Sequence, residues 1–321
     1  MTERVQVWTW PELCRLAGSP ARAQTLLADG AVRRALHGAY VGTEHPDDPR
    51  TRLAAAARLL PAGAVLAGRA ALWALGADDL EPEGPLEVLV AAGHGVRTRA
   101  GLTVRTARLS PVDLVDVGGR LVLSPARAVV DVARREPLAE AVAVGDAVLR
   151  CGLTTTDQLV EALDRCGPLR GVRHARSVVP LLEPRSQSLM ESRVRVTLVL
   201  GGIAGLEAQV DFYDTCGRHL GRTDLHVRGV VGEYDGRLTH LDAGAFAHDR
   251  RRNNGLGNAG LLVRQLSADD WYGRPHADLV AMFRQALALV RPELITAVRG
   301  RDTLRPPALS PPRTLADRRS A

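Results

Sequence analysis

Apolar and polar positions follow two alternating periods along this chain, and the places where the period changes divide it into segments. A helix capped by Thr9, with Pro11 in its first turn and Glu12 placed for a capping box, runs to Leu16 and stops at Ala17-Gly18. Ser19-Pro20 restarts the chain as a capping serine followed by proline at the first helical position, and the second short helix ends at Asp29-Gly30. Two extended pieces, Val32–Leu36 and residues 39–41, flank His37-Gly38, which reads as a tight turn. Helix, short turn, helix and hairpin is the plan of a winged helix-turn-helix. In that plan the second helix presents Arg22, Gln24 and Thr25 to a nucleic-acid groove, and Arg33 and Arg34 sit on the wing near phosphates. An ordinary helical hairpin with a solvated basic face has the same spacing.

Residues 46–185 read as a mixed α/β segment. The stretches 52–60 and 69–75 are rich in Ala and Leu and predict helices. Residues 86–91 and 102–107 predict strands separated by a Gly/Arg turn around 93–99. Ser124-Pro125 opens a helix to about Arg135, and amphipathic helices continue over Leu138–Arg150, Thr156–Arg165 and residues 172–182. No paired carboxylates, metal-ligand cluster or phosphate loop is visible here, so the expected role is structural, linking or partner-binding. The expected organisation is therefore 1–45, 46–185, a third domain over 186–290, and a Pro- and Arg-rich tail within 291–321.

The third domain carries the candidate chemistry. Residues 188–200 predict a helix with Ser188 as cap and Glu191 three residues on, a spacing that serves helix-end stabilisation as readily as a site. Two extended runs, 218–227 and 230–235, are joined by Arg228-Gly229. If those two residues are the hairpin loop, Val227 faces Val230 and Asp224 lies opposite Glu233. Period two adds Asp235 to that face and sends Tyr234 to the other. Three carboxylates that close repel one another unless a cation lies between them. A Mg²⁺ (or Mn²⁺) held by Asp224 and Glu233 resolves the repulsion and suits phosphodiester hydrolysis. A solvent-exposed polar sheet face fits the same spacing, and a one-residue slip would undo the pairing.

Composition alters this picture little. Of 321 residues, 45% are hydrophobic and only 3% aromatic, so the core is built from Leu, Val and Ala. The net charge of +6 favours an anionic partner such as nucleic acid. The chain has no lysine, however, and an Arg-rich genome writes the same charge. Cys14, Cys151, Cys166 and Cys216 form no C-x-x-C pair, which points to free thiols in a reducing compartment. With no secretory signal and no long apolar run, a cytoplasmic protein with no membrane partner is expected.

Glu233-Tyr234-Asp235-Gly236, with His240 four residues later, resembles the E-x-D-G…H core of a bacterial family related to the very-short-patch repair endonucleases. Ser188-x-x-Glu191, Asp224, Asp249-Arg250-Arg251-Arg252-Asn253, Gly260, the strand Leu262–Leu266 and Ser267-Ala268-Asp269-Asp270 follow that pattern in order. The resemblance implies a restriction-endonuclease-like PD-(D/E)XK domain, an α/β/α sandwich, with Asp224 and Glu233 on the metal. It further implies that Glu191 assists, that His240 acts as general base or water-positioning group, and that Arg250 and Arg252 meet phosphates or pair with the acidic patch. The nuclease motif expects Lys two residues after its Glu, and here Asp235 stands there. Either His240 stands in for it or the site is degenerate. The amino-terminal block 9–18 and Gly38-Ala39-Tyr40-Val41 resemble the winged helix of AbiE-type antitoxins, and Ser124-Pro125-Ala126-Arg127…Val130-Asp131 resembles the segment that accompanies it. The expected fold class is thus multidomain α/β. The expected function is a DNA-binding, Mg²⁺-dependent endonuclease, or alternatively a non-catalytic antitoxin-like regulator with a degenerate nuclease fold. DNA is the expected partner in both cases, joined by a cognate toxin in the antitoxin reading.

Overall fold

The computed structural model describes residues 5–61, 63–80, 84–234 and 243–300, without the side chains of 243–249. Asp235 and His240, and most of the Pro/Arg-rich tail, lie outside the described residues. The elements run β1 (Trp8–Thr9), α1 (Trp10–Ala17), α2 (Pro20–Ala28), β2 (Val32–Leu36), β3 (Ala39–Gly42), α3 (Pro49–Leu59), β4 (Val65–Leu66) and α4 (Gly68–Ala74). Then come β5 (Leu86–Val90), β6 (Leu102–Thr106), β7 (Leu114–Asp116), β8 (Leu121–Leu123), α5 (Pro125–Ala133), α6 (Leu138–Arg150), α7 (Thr156–Arg165) and α8 (Val172–Val178). The chain finishes with α9 (Leu189–Leu200), β9 (Glu207–Tyr213), β10 (His219–Val227), β11 (Val230–Tyr234), α10 (Ala243–Asn258), β12 (Leu262–Leu266), α11 (Ala268–Tyr272), α12 (His276–Leu289) and β13 (Val298–Arg299).

Two compact units result among the described residues: one takes the chain up to Arg135 together with Cys151–Val172, the other takes Glu136–Arg150 and residues 173–300. In the first unit, the amino-terminal helices form where their caps predict. The Glu12 carboxylate accepts from the Thr9 N–H and hydroxyl, both at 2.8 Å, and α1 stops at Gly18 with φ 82°. The Ser19 hydroxyl accepts the Arg22 N–H and starts α2. β2 and β3 pair antiparallel around Gly38, and β1 adds a third strand beside β3. Leu13, Ala23, Val32 and Tyr40 form the core of this module, packed by Trp8, Trp10 and Leu26. β1 has two residues, too few to show a period.

A second sheet in this unit has the order β6-β5-β4-β8-β7. The two strands on either side of the Gly/Arg turn, β5 and β6, run parallel, with Leu86 beside Leu102 and Val90 beside Thr106. The connection between them has to travel back the length of the strand. α5 carries two charges into the interior: Arg127 meets Asp113 at 2.9 Å, and the Asp131 carboxylate accepts from Arg105 Nη1 and Arg135 Nη2, both at 3.0 Å. A buried guanidinium and carboxylate must pair or be left uncompensated. These residues make the middle segment a charged clasp rather than a plain apolar linker.

The second unit is a sheet of order β12-β11-β10-β9-β13 with helices on both sides. Val230 and Val231 are successive residues of β11 and therefore point to opposite faces. Val230 joins a core with Met190, Val194 and Leu198 of α9 and Leu279 and Phe283 of α12. Val231 joins a second core with Val210, Phe212 and Leu256 of α10. β11 and β12 run parallel, and α10 supplies the crossover that this requires. α6 packs along α9 through Asp146, which is fully buried and accepts from the Glu183 N–H, the Ser192 hydroxyl and Arg195 at 2.6, 2.7 and 2.8 Å.

Candidate functional site

Two surfaces carry the residues singled out by sequence, one in each unit. In the first unit α2 is the candidate nucleic-acid helix. Arg22, Gln24 and Thr25 are all exposed, while Ala23 between them is buried in the module core. Arg34 is exposed, its guanidinium 5.9 Å from the centre of the Tyr40 ring. Arg33 is different. Its guanidinium donates to the carbonyls of His45 and Pro46 and lies 3.6 Å from Asp47, so it ties the strand to the following loop.

In the second unit the hairpin brings the acidic residues together. Arg228 and Gly229 both have positive φ, 45° and 87°, the backbone of a two-residue turn whose twist matches that of the strands. The ladder pairs Val227 with Val230, His226 with Val231 and Leu225 with Gly232, so Asp224 and Glu233 take the next opposed positions. The Tyr234 N–H donates to Asp224 Oδ2 at 2.8 Å, which fixes the carboxylate against β11. Glu191 enters from α9, where its N–H donates to the Ser188 hydroxyl and its carboxylate accepts the Gln187 N–H at 2.8 Å. The same glutamate thus stabilises the helix end and faces the cleft.

Gln209 joins two of these acids. Its side-chain amide donates to Glu191 Oε2 at 2.8 Å and to Asp224 Oδ1 at 3.2 Å. The residue is 5% exposed and holds φ 56°, a left-handed backbone inside a strand. A non-glycine residue held there stores strain, and such strain collects at sites. Sequence reasoning missed Gln209 because it missed β9. The signal was present: Glu207, Gln209 and Asp211 alternate with Ala208, Val210 and Phe212.

Arg252 reaches in from α10. It donates to Glu233 Oε2 at 2.6 Å and to the Arg222 carbonyl at 3.1 Å. Of the two outcomes open to Arg252, phosphates or the acidic patch, the structure shows the pair with the patch; Arg250 is exposed. Gly221 makes room for it, since a Cβ there would stand 2.8 Å from the Arg252 Cγ.

Burial dominates the electrostatics. It pushes Glu233 up to about 7 against the pull of Arg252, and the Asp224 and Glu191 charges add to the rise. Burial likewise raises Asp224, opposed by the Tyr234 N–H and the Gln209 amide. Glu191 is raised by burial first and by the Asp224 charge second. At neutral pH the cleft therefore holds part of its negative charge as protons.

As arranged, the cleft does not fit a divalent metal. Both Asp224 oxygens are engaged by donors, Glu233 Oε2 is taken by a guanidinium, and Glu233 Oε1 is buried without a partner among the described residues. Among the described residues no three His, Cys, Asp or Glu side chains stand together in a metal-holding arrangement.

Comparison with known proteins bears on the middle of the chain. Residues 62–183 match the family model of the AbiEi antitoxin C-terminal domain. This AbiEi-like stretch contributes β4 to β8, α4, α5 and α7 to the first unit and α6 and α8 to the second. The crystal structure of the RV2827C protein from Mycobacterium tuberculosis is similar at 22% identity and a TM-score of 0.39, over 54% of this chain and 71% of that one. No curated protein matches the chain. The antitoxin-like resemblance is thereby supported over the AbiEi-like stretch. Among the described residues no helix is long and apolar enough to cross a membrane.

Proposed function

We propose that this chain is an antitoxin-type DNA-binding regulator whose second unit acts without catalysis. The observation that carries the reading is the AbiEi-like stretch at 62–183, set directly behind a helix–helix–hairpin module with an exposed Arg22, Gln24 and Thr25. In this reading the amino-terminal module is a winged helix-turn-helix. Its α2 enters the major groove, where Gln and Arg side chains reach base edges, and Arg34 on the hairpin meets phosphate. The partners are DNA and a cognate toxin protein. The test is fluorescence anisotropy with duplex DNA from upstream of its own gene, in EDTA. Binding that survives chelation and weakens at least tenfold in Arg22→Ala supports the reading; binding no tighter than to unrelated duplex would end it.

A second reading, a metal-dependent DNA endonuclease of the very-short-patch repair type, is favoured by one feature. The order α9, β9, β10, β11, α10, β12, with Asp224 opposite Glu233 and Glu233 Oε1 unpaired among the described residues, supports reading the second unit as a sandwich of PD-(D/E)XK type. In this reading Asp224 and Glu233 hold the metal once Arg252 withdraws. Supercoiled plasmid incubated with Mg²⁺ or Mn²⁺ decides it: nicking by the wild type, absent in Glu233→Ala, is the required result.

A further inference from the structure

The acidic cleft of the second unit has an occupant from its own chain. Three carboxylates, Glu191, Asp224 and Glu233, converge there, and Glu191 and Glu233 are 6% and 7% exposed. Charges so far from water need compensation within reach. Gln209 and the Tyr234 N–H supply neutral donors to Glu191 and Asp224. Among the described residues the positive charge comes from Arg252, which spans the hairpin from the Arg222 carbonyl on β10 to the Glu233 carboxylate on β11. Its stem lies over Gly221, the residue without a side chain that would otherwise hold it away. A guanidinium at 2.6 Å from one oxygen of Glu233 stands where a cation bridging Asp224 and Glu233 would have to approach.

We propose that Arg252 is the built-in counter-ion of this cleft, so that the protein takes up no divalent metal while the Arg252–Glu233 pair is closed. A metal entering the cleft has to break a charge-assisted bond and the bond to the Arg222 carbonyl, and it has to bring Asp224 away from donors that already satisfy both oxygens. Glu233 Oε1, buried and unpaired among the described residues, marks the cleft as one that can accept another positive partner once Arg252 is gone. This inference does not depend on the DNA-binding reading, which is tested in EDTA.

The experiment titrates Mn²⁺ into the full chain, following free Mn²⁺ by electron paramagnetic resonance and Tm in parallel. Arg252→Met removes the charge and keeps a stem of similar length. Arg252→Gln removes the charge as well, on a shorter polar stem, and serves if Arg252→Met does not fold. The expected result is no saturable Mn²⁺ binding by the wild type at millimolar concentration. At least tenfold tighter binding is expected in the variants, together with a Tm that rises with Mn²⁺, and both effects vanish when Asp224→Asn is added. Wild-type binding as tight as that of the variants would overturn the proposal, and so would folded variants that gain none.

Discussion

Glu233 concentrates the energetics of the cleft in one side chain. Its carboxyl is raised from 4.5 to about 7, so the folded protein holds a proton over a range in which the unfolded chain has released it. The stabilising contribution is complete below the unfolded value and is lost as pH rises through the folded one. For Glu233 alone the span corresponds to about 3 kcal/mol. Glu233→Gln is therefore expected to gain on the wild type as pH rises from 5 to 8, by up to roughly that amount. Urea unfolding at the two pH values measures it, and parallel pH profiles would remove the buried carboxyl from the account. Gln209 gives a second residue-scale prediction. Gln209→Ala removes one donor each from the buried Glu191 and the half-buried Asp224, at a cost of about 2–3 kcal/mol. Gln209→Gly loses the same bonds but accepts the left-handed backbone, so it should be the more stable of the two. A lower urea midpoint for the glycine variant would show that φ 56° carries no strain.

Between elements, the contact to test is the one that joins α6 to α9. Asp146 is fully buried and is pushed up to about 6 by desolvation, against the pull of Arg195. Arg195→Met leaves that carboxylate without its cation and should cost about 3–5 kcal/mol, the scale of a broken buried pair. Adding Asp146→Asn should recover part of the loss, as seen in thermal melts of the single and double variants. Equal melts for the two would show that the pair is uncoupled. Much of this level was legible beforehand. α6 and α7 match their predicted bounds, and α1, α2, α5 and α9 begin at predicted caps, because capping residues and helical periodicity are local signals. The hairpin at Arg228-Gly229 was legible for the same reason: a two-residue turn sets the register of both strands. β1, β4, β7 and β8 were not, since two or three residues carry no period. The parallel pairing of β5 and β6 was not either, because strand direction is set by what packs around the connection.

Over the whole molecule the net charge of +6 acts together with where the arginines are free. Arg34 and Arg33 are neighbours in β2 with different surroundings, Arg34 exposed and Arg33 bonded to the loop that follows β3. Arg34→Ala should weaken DNA binding and lower the slope of log K against log salt by about 1, the signature of one lost phosphate contact. Arg33→Ala should leave the slope unchanged and lower Tm, because its guanidinium holds the His45 and Pro46 carbonyls. Anisotropy titrations between low and moderate salt, paired with melts, separate the two; a slope change in Arg33→Ala would reverse their roles.

By itself the sequence determined the amino-terminal helix pair and hairpin, the caps of most helices, and the opposition of Asp224 and Glu233. Each of these rests on interactions between residues close along the chain. Only the tertiary structure decided that Gln209 would bridge Glu191 and Asp224, that Arg252 would reach Glu233 from α10, that Arg33 would bind the loop carbonyls of His45 and Pro46, and that α6 would join the second unit. Those contacts join residues far apart in sequence, and burial selects them: a carboxylate taken out of water accepts whichever donor the packing of distant elements brings within reach.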